Sequence, residues 1–432
     1  MPNKTAARPA PGIISFFAGC GILDLGFETT GFRVWLANEI FPPFASAYEH
    51  SRMRMDIPPP VGGPVVRAPI EAFLDGREQG RLEAAMAGAR AAAGAVGFVG
   101  GPPCPDFSIA GKQAGRTGDR GRLTQDYCDL IGIMRPDFFL FENVKGLKST
   151  VKHRAFFEEM LARFRDDGYA VTERTVSAVE YGAPQDRQRV IVVGFHRQAF
   201  QDADAMAEGF AWNSRVTHPG ALAAEVWPSA EILDRDPATG AAAHTVRPAP
   251  PGMTDDLLEL TVGRWFERNG VGTHPNAGDV FQVKAGLGRM RAAREGDTSN
   301  KSFKRLHRWR YSPTVAYGNN EVHLHPWLDR RLSVAEAMAL QSLPREFELP
   351  PGMTLSDKFK TIGNAVPLKL AAALAATVAD AIGDRVATPY ERDADRVRTP
   401  LPAVPVPPEH LPEPEDAREL PIAAEMPDLL AA

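Results

Sequence analysis

Hydrophobic and polar positions follow two different periods along the first half of the chain. Short apolar runs bounded by Gly, Pro or charged residues predict buried β-strands, and the longer amphipathic stretches between them predict helices. This alternation is typical of an open α/β sheet with helices on both faces, so the predicted fold is a doubly wound, Rossmann-like sheet. The predicted strands are Ile13–Phe17, Arg33–Ala37, Val96–Val99, Asp137–Phe141, Ala170–Ser177 and Val190–Phe195, and the clearest helices are Glu78–Ala93 and His153–Asp167.

The alternation stops near residue 200. Residues 201–320 are punctuated by Pro, Gly and Trp without a dominant period, which predicts a smaller, irregular, strand-rich domain inserted in the first. Helical patterns return at Ser333–Leu343 and Pro367–Ile382, so residues 321–385 are predicted to complete the domain formed by residues 1–200. Residues 386–432 are rich in proline and acidic residues and poor in aromatics, which predicts a disordered tail.

Composition narrows the class of protein. A chain of 432 residues with 44% hydrophobic and 24% charged residues can form two domains, or one with an insertion. Three cysteines without paired spacing (Cys20, Cys104 and Cys128) indicate a reducing compartment and argue against disulfides and against a metal site. No apolar run of membrane-spanning length and no secretion signal is present, so the predicted location is cytoplasmic, with no membrane partner.

One segment of this acidic chain is strongly basic. The net charge is −5, yet Lys284–Arg310 contains nine Lys and Arg residues against two acids, with Trp309 and Tyr311 close by. Such a patch can neutralise phosphates and steer a nucleic acid, although a solvated charged face is the alternative interpretation. The predicted contacts are Arg289, Arg291, Lys304, Arg305 and Arg308.

A thiol follows the third predicted strand. The sequence Gly100-Gly101-Pro102-Pro103-Cys104 forms a stiff turn directly after the apolar run. Ligands and catalytic groups of open α/β sheets lie at the carboxyl ends of the strands. Cys104 is therefore a candidate nucleophile, and a buried structural cysteine is the alternative.

The first predicted strand leads into a loop of small residues. Ala18, Gly19 and Gly21 would let the backbone approach a ligand closely, and a tight turn with packing glycines is the alternative. Glu39 follows the second strand, where a carboxylate can accept hydrogen bonds from a ribose diol. The loop lacks the lysine of a phosphate-binding loop, so an adenosyl ligand without phosphates fits better than a nucleoside triphosphate.

Six motifs in order resemble those of the bacterial-type DNA cytosine-5 methyltransferases. They are FFAGCGILDLGFE, the acid in ANEI, GGPPCPDFS, FENV, YGAPQDRQRVIVVG and KTIGNAVP. The resemblance covers roughly residues 12–195 and 330–382, and the segment between them has no pattern that matches the family.

The resemblance implies roles for four catalytic residues. Carbon 5 of cytosine is too weak a nucleophile to take a methyl group unaided, and a thiolate that adds to carbon 6 makes the ring an enamine. Cys104 would supply that thiolate to a base flipped out of the duplex. Glu142 would bind and protonate N3, which requires a raised pKa. Arg187 would reach the flipped base, and Arg189 would support the site.

The resemblance also implies S-adenosyl-L-methionine as the cofactor and a basic loop that closes over DNA; a plain flexible surface loop is the alternative for the latter. The implied DNA contacts in that loop are Ser108, Lys112, Gln113, Arg116, Arg120 and Arg122. The implied cofactor contacts are Phe17, Ala18, Gly19, Cys20, Gly21, Ile22, Leu23, Glu39, Ile40, Pro102, Leu123, Asn364 and Val366.

Three departures from the family pattern stand out. One is Cys20, which lies inside the cofactor loop and is predicted to be a small apolar filler. Pro105 follows the candidate nucleophile where the family often has glutamine. The stretch 65–70 matches the family's third strand but lacks the acid that holds the adenine amino group, so no residue is assigned to that role.

The sequence therefore predicts an enzyme that methylates carbon 5 of cytosine at a specific site in double-stranded DNA. It would act as a monomer in the cytoplasm, associated with the nucleoid, and a separate cognate restriction endonuclease is compatible with this prediction. A transfer-RNA cytosine-5 methyltransferase is a close alternative. A non-catalytic DNA-binding protein and a nicotinamide oxidoreductase are alternatives from other classes.

Overall fold

The computed structural model describes residues 11–103, 119–235, 237–240, 247–300, 302–315, 322–385 and 387, apart from the side chains of residues 119–121 and 152. Several predicted residues lie outside this described part of the chain. They are Cys104, Pro105, Ser108, Lys112, Gln113, Arg116, the side chain of Arg120, and the tail except for residue 387.

A six-stranded sheet forms the centre of the fold, with the strand order β2-β1-β3-β4-β6-β5. Strands β1 to β4 are parallel to one another, whereas β6 runs antiparallel to both β4 and β5. The parallel strands therefore end at one common edge of the sheet. The strands are β1 Gly12–Phe16, β2 Arg33–Asn38, β3 Val96–Gly100, β4 Phe138–Val144, β5 Tyr169–Ser177 and β6 Gln188–His196.

The described part of the chain contains thirteen α-helices. The first seven are α1 Ile22–Glu28, α2 Pro42–Arg54, α3 Gln79–Ala93, α4 Asp119–Met134, α5 Gly146–Ser149, α6 Val151–Asp166 and α7 Ala203–Glu208. The others are α8 Asp255–Leu258, α9 Val262–Arg268, α10 Leu287–Ala292, α11 Val334–Leu340, α12 Leu355–Asn364 and α13 Leu368–Ile382.

Helices cover both faces of the sheet, as the sequence predicted. Ile13 of β1 lies in an apolar cluster with Phe27 of α1 and Leu374 of α13. The next residue, Ile14, lies in a second cluster with Met86 of α3. Because both faces are covered, successive residues of a strand are apolar, which explains the continuous apolar runs.

The last helix packs against the first. A Cβ atom added to Gly26 of α1 would lie 2.7 Å from the carbonyl carbon of Ala371 and 2.8 Å from the nitrogen of Ala372, both in α13. The two backbones therefore cross closely, and glycine at this position permits it. The stretch Leu355–Ile382 has the length and mean hydropathy (1.6) of a membrane span. It consists of two helices separated by 365–367, and its apolar side chains Leu370, Leu374 and Val378 are buried in the core.

The described part of residues 201–320 is irregular, as predicted, but the prediction that it is strand-rich is wrong. It contains the short helices α7 to α10 and the two-residue strand β7 Lys304–Arg305, which pairs with β8 His323–Leu324, together with isolated bridges. Its backbone is held by hydrogen bonds between backbone groups in turns and by side chains that bond to carbonyl groups, such as those of Asn269 and Arg305. Such bonds leave no periodic signal in a sequence.

Candidate active site

The loop from Phe17 to Gly21 joins β1 to α1 and is tightly folded. Phe17, Gly19 and Gly21 have φ angles of 55°, 57° and 81°, in the left-handed region. A Cβ atom on Gly21 would lie 2.6 Å from Cδ2 of Tyr48 and would also collide with Arg52, so this position requires glycine. Apart from the half-buried Phe17, the loop therefore consists of small residues at the carboxyl end of β1.

Glu39 closes one side of this loop. Its Oε2 atom accepts a hydrogen bond from the Gly19 backbone N–H at 2.9 Å, and Oε1 accepts one from Phe41 at 2.8 Å. Burial raises the pKa of the Glu39 carboxyl, and those two hydrogen bonds oppose the shift. Each carboxylate oxygen has a further lone pair, so a hydroxyl group can still bond there. Ile40 beside it is 55% exposed and offers an apolar surface.

Helix α12 and the residues that follow it lie on the other side of the loop. A Cβ atom on Gly19 would lie 3.9 Å from the hydroxyl of Thr361 in α12. Val366 is buried in the same apolar cluster as Ala18 and Leu23. Asn364 is exposed at the end of α12. The structure thus brings together residues that are more than 340 positions apart in the sequence.

A polar network lies buried beneath the loop, and the sequence analysis missed it. Asp24 of α1 accepts hydrogen bonds from the hydroxyls of Ser15 (2.6 Å) and Tyr48 (2.9 Å). Arg52 of α2 pairs with Glu28 at 2.7 Å, and its guanidinium carbon lies 3.5 Å from the centre of the Tyr48 ring. Burial raises the pKa of Asp24, and that of Glu28 to about 7. The sequence offered one sign of this network, namely two acids, Asp24 and Glu28, four residues apart on an otherwise apolar helix.

The turn after β3 packs directly on Glu142. A Cβ atom on Gly101 would collide with Oε2 of Glu142, and one on Gly100 would lie 2.8 Å from Cζ of Tyr127. Asn143 donates a hydrogen bond from Nδ2 to the carbonyl oxygen of Pro102 at 3.4 Å. The backbone that leads to Cys104 is therefore fixed against β4.

Glu142 lies near the end of β4 and is almost completely buried. Its Oε1 atom is 2.7 Å from Nε of Arg189, on the antiparallel neighbour β6. Burial raises the pKa of the Glu142 carboxyl, and the positive charges of Arg189 and Arg187 oppose this shift without cancelling it. A carboxyl group with a raised pKa can hold a proton and donate it to a bound base.

Arg187 joins the two distant parts of the chain. Its side chain is buried, and Nη2 donates a hydrogen bond to the Gly363 carbonyl oxygen of α12 at 2.8 Å. Its charge also acts on Glu142. The structure therefore gathers Glu142, Arg187, Arg189 and the turn at Pro102, all of which the sequence analysis singled out.

The segment after β2 occupies the place expected for a further edge strand. Val66 forms a parallel bridge with Asn38, whose Nδ2 donates to the carbonyl oxygens of Val66 (2.9 Å) and Ala68 (2.8 Å). The next carboxylate along the chain is Glu71, which accepts a hydrogen bond from Nη2 of Arg122 at 3.0 Å. Leu123 of α4 packs on the same apolar cluster as Phe16.

The predicted DNA contacts fall into two groups. Arg289 and Arg291 are exposed and Lys304 is half-buried. Arg305 and Arg308 are buried, and their guanidinium groups bond to carbonyl and carboxylate oxygens within the protein. A buried, fully engaged guanidinium cannot reach a phosphate, so we withdraw Arg305 and Arg308 from the predicted DNA contacts.

Known proteins are similar to this chain in sequence. Residues 12–58, 89–227 and 260–380 match the family model described as C-5 cytosine-specific DNA methylase. The type II methyltransferase M.NmeDI of Neisseria meningitidis serogroup C is 50% identical over 366 residues, which are 85% of this chain and 83% of that protein. The type II methyltransferase M.MthTI of Methanothermobacter thermautotrophicus is 31% identical over 84% of this chain and 95% of that protein.

A solved structure is similar in fold. The crystal structure of a DNA modification methyltransferase encoded within an E. coli prophage aligns with a TM-score of 0.56 at 21% identity. The alignment covers 87% of this chain and all of that one.

Proposed function

Since the chain belongs to the C-5 cytosine-specific DNA methylase family and is a DNA cytosine-5 methyltransferase, we propose the finer steps of its reaction. It transfers a methyl group from S-adenosyl-L-methionine to carbon 5 of a flipped cytosine within a specific double-stranded sequence. The main observation in support is that the Glu142 carboxyl is buried, pairs with Arg189 and packs against the turn that leads to Cys104.

Each catalytic residue has a proposed task. The Cys104 thiolate bonds to carbon 6 of the ring, and the electrons displaced from the 5,6 double bond make carbon 5 nucleophilic. Glu142 holds a proton at N3 and so offsets the charge pushed into the ring. Arg189 supports the site by orienting Glu142. Arg187 reaches the flipped cytosine, and its bond to the Gly363 carbonyl oxygen holds the end of α12 beside it. Once carbon 5 carries the methyl group, a general base removes its proton. The electron pair of that C–H bond re-forms the 5,6 double bond, and the bond between sulfur and carbon 6 breaks to regenerate the Cys104 thiolate.

The loop between β1 and α1 fits an adenosyl cofactor. When bound, S-adenosyl-L-methionine supplies an electrophilic methyl group. The left-handed loop leaves room for a ligand against the backbone, Glu39 can accept a bond from a ribose hydroxyl, and Ile40 offers an apolar face to the adenine. The remaining cofactor contacts predicted from the sequence stay part of this proposal.

The wider setting is also proposed. Residues 201–320 would read the DNA sequence, while residues 1–200 and 321–385 would form the catalytic part. Because two relatives are named type II methyltransferases, we propose that a separate restriction endonuclease shares the target sequence. The protein would act as a cytoplasmic, nucleoid-associated monomer, and the loop that carries Lys112 and Arg116 would close over the DNA.

The direct test is transfer of tritiated methyl groups to plasmid DNA and to transfer RNA. We expect DNA to be labelled, Cys104→Ala to abolish labelling, and DNA that contains 5-fluorocytosine to become covalently attached to the wild type only. Labelling of transfer RNA alone would favour the RNA alternative. Full activity in Cys104→Ala, or no covalent attachment, would contradict the proposed adduct.

A further inference from the structure

We propose that Arg305 is a positioning residue for DNA recognition, and that the element it positions, helix α10, contacts the substrate DNA. The inference rests on the proposed function, because it concerns how the same enzyme holds its duplex. It replaces the prediction that Arg305 itself touches a phosphate.

Arg305 is fully buried and its guanidinium group is completely engaged. Nη2 donates to the carbonyl oxygen of Met290 and Nε to that of Ala293, both at 2.9 Å. Nη1 donates to the carbonyl oxygens of His325 at 3.0 Å and Leu328 at 2.7 Å. The first two carbonyls belong to the last turn of α10 and its C-cap, so this one side chain ties the end of α10 to the segment around 325–328.

A second arginine completes the arrangement. Arg235 donates from Nη2 to the carbonyl oxygen of Arg291, which also lies in the last turn of α10. Asp329 bridges the two cations, with Oδ1 3.0 Å from Nη2 of Arg305 and Oδ2 3.0 Å from Nη1 of Arg235. Two positive groups thus bind the carbonyl end of α10, where the helix dipole favours cations, and one carboxylate offsets their burial.

Helix α10 needs such support. It has six residues, which is well below the roughly 12–15 that an isolated helix requires in water. Met290 anchors its inner side in an apolar cluster with Phe303 and Leu324. We call this anchored unit, with Arg235, Arg305 and Asp329, the α10 clamp.

The outward side of α10 has the chemistry of a DNA contact. Arg289 and Arg291 are exposed, Leu287 is 47% exposed, and the flanking Lys284 and Arg294 are exposed as well. No acidic residue occurs between positions 284 and 294, although the whole chain carries a net charge of −5. Cations held on a rigid element bind phosphates or base edges at a lower entropic cost than cations on a mobile loop.

The first test removes single charges from the surface. Arg289→Gln and Arg291→Gln are compared with Arg154→Gln, which removes an exposed arginine from α6. We expect each of the first two to raise the KM for DNA several-fold and to lower the salt slope of DNA binding by about one. The Arg154 variant should match the wild type in both measurements.

The second test weakens the α10 clamp itself. Arg305→Lys keeps the charge but offers three N–H groups instead of five and lacks the planar geometry of the guanidinium. Asp329→Asn removes the carboxylate charge. We expect both variants to raise the KM for cognate DNA about tenfold or more, because a helix that is no longer held in place binds the DNA less well. The affinity for S-adenosyl-L-methionine and the kcat at saturating DNA should stay within about twofold of the wild type.

The results separate this inference from the proposed function. If the wild type methylates DNA but Arg289→Gln and Arg291→Gln behave like Arg154→Gln, α10 is not a DNA contact and the inference falls. If Arg305→Lys and Asp329→Asn fold and leave the KM for DNA unchanged, the α10 clamp does not position the helix. If the wild type methylates no DNA at all, the proposed function fails instead.

Discussion

The carboxyl group of Glu142 lies between two opposing influences. Its burial favours the neutral form, and the guanidinium groups of Arg189 and Arg187 favour the charged form. The balance raises the pKa, so the group can carry a proton while still being oriented by an ion pair of 2.7 Å. At the residue scale, a proton donor needs this combination, and Glu142 differs from the similarly buried and paired Glu28 in lying against the turn that leads to Cys104.

Glu142→Gln should therefore lower kcat by about 10²- to 10⁴-fold, because the amide keeps the shape but cannot transfer the proton. The protonated form is the donor, so the wild-type kcat should fall as pH rises through the raised pKa of Glu142. This alkaline limb of the pH profile should be absent in the variant. The exposed Glu158 supplies the control, since Glu158→Gln should keep both the rate and the limb. An unaltered kcat in Glu142→Gln would refute the assignment.

Thiol reactivity should single out one cysteine. Cys20 and Cys128 are buried, and burial raises the pKa of Cys20 to about 11 and that of Cys128 still further. Thiols in this state hold almost no thiolate at pH 8 and react slowly. We expect iodoacetamide to modify one site per folded chain, identified by mass spectrometry as Cys104. Rapid modification of Cys20 in Cys104→Ala would contradict the burial argument.

At the scale of elements, the contact between α1 and α13 joins segments more than 340 positions apart in the sequence. The Cα of Gly26 faces the backbone of Ala371 and Ala372, so the helices cross at close range. The loop from Phe17 to Gly21 precedes α1, and Val366 precedes α13 in the chain. The distance between these helices therefore sets how the loop lies relative to Val366, which shares an apolar cluster with Ala18.

Gly26→Ala should separate the two helices and destabilise the protein by about 1–3 kcal/mol, the usual cost of overpacking. Addition of Ala371→Gly should recover part of this loss, because it removes one of the colliding groups while the backbone collision stays. Urea denaturation of the single and double variants measures both effects. A control Gly80→Ala at the start of α3, where a Cβ atom would meet no neighbour, should not destabilise. Equal stability of Gly26→Ala and wild type would show that the helices can move apart freely.

At the scale of the whole molecule, buried carboxyl groups make the free energy of unfolding depend on pH. Burial raises the pKa of Asp24, Glu28, Asp137 and Glu142 in the folded state. A group whose pKa is raised by folding stabilises the folded state fully below its unfolded pKa. That contribution is lost as pH rises through the folded pKa.

Glu28 gives this dependence a testable window, because its folded pKa is about 7 and an ordinary glutamate titrates near 4.5. Between these two values the unfolded state binds fewer protons, so the stability of the wild type should decline as pH rises. Glu28→Gln has no carboxyl group at this position, so its free energy of unfolding lacks this pH dependence. The free energy of unfolding of the wild type should therefore fall relative to that of the variant from about pH 4.5 to 7. Chemical denaturation across that range measures it. A difference that does not vary with pH would contradict the raised pKa.

The sequence by itself determined the strands of the central sheet and the positions of the motifs. Apolar runs placed the six strands within two residues of their observed ends, with β4 extending three residues further and ending beyond Glu142. The physical reason is that burial on both faces and turn chemistry act on neighbouring residues, so they leave local patterns. The same local patterns placed Glu39 and Glu142 at strand ends.

Only the tertiary structure decided which charged side chains face water. Arg305 and Arg291 look alike in the basic segment, yet one is buried against carbonyl groups up to 23 residues away and the other is exposed. Local pattern also does not show that β6 lies antiparallel beside β4, which pairs Glu142 with Arg189. Nor does it show the bond from Arg187 to Gly363, 176 residues away. Contacts between distant residues depend on how elements pack in space, and charge or periodicity within one segment carries no record of that packing.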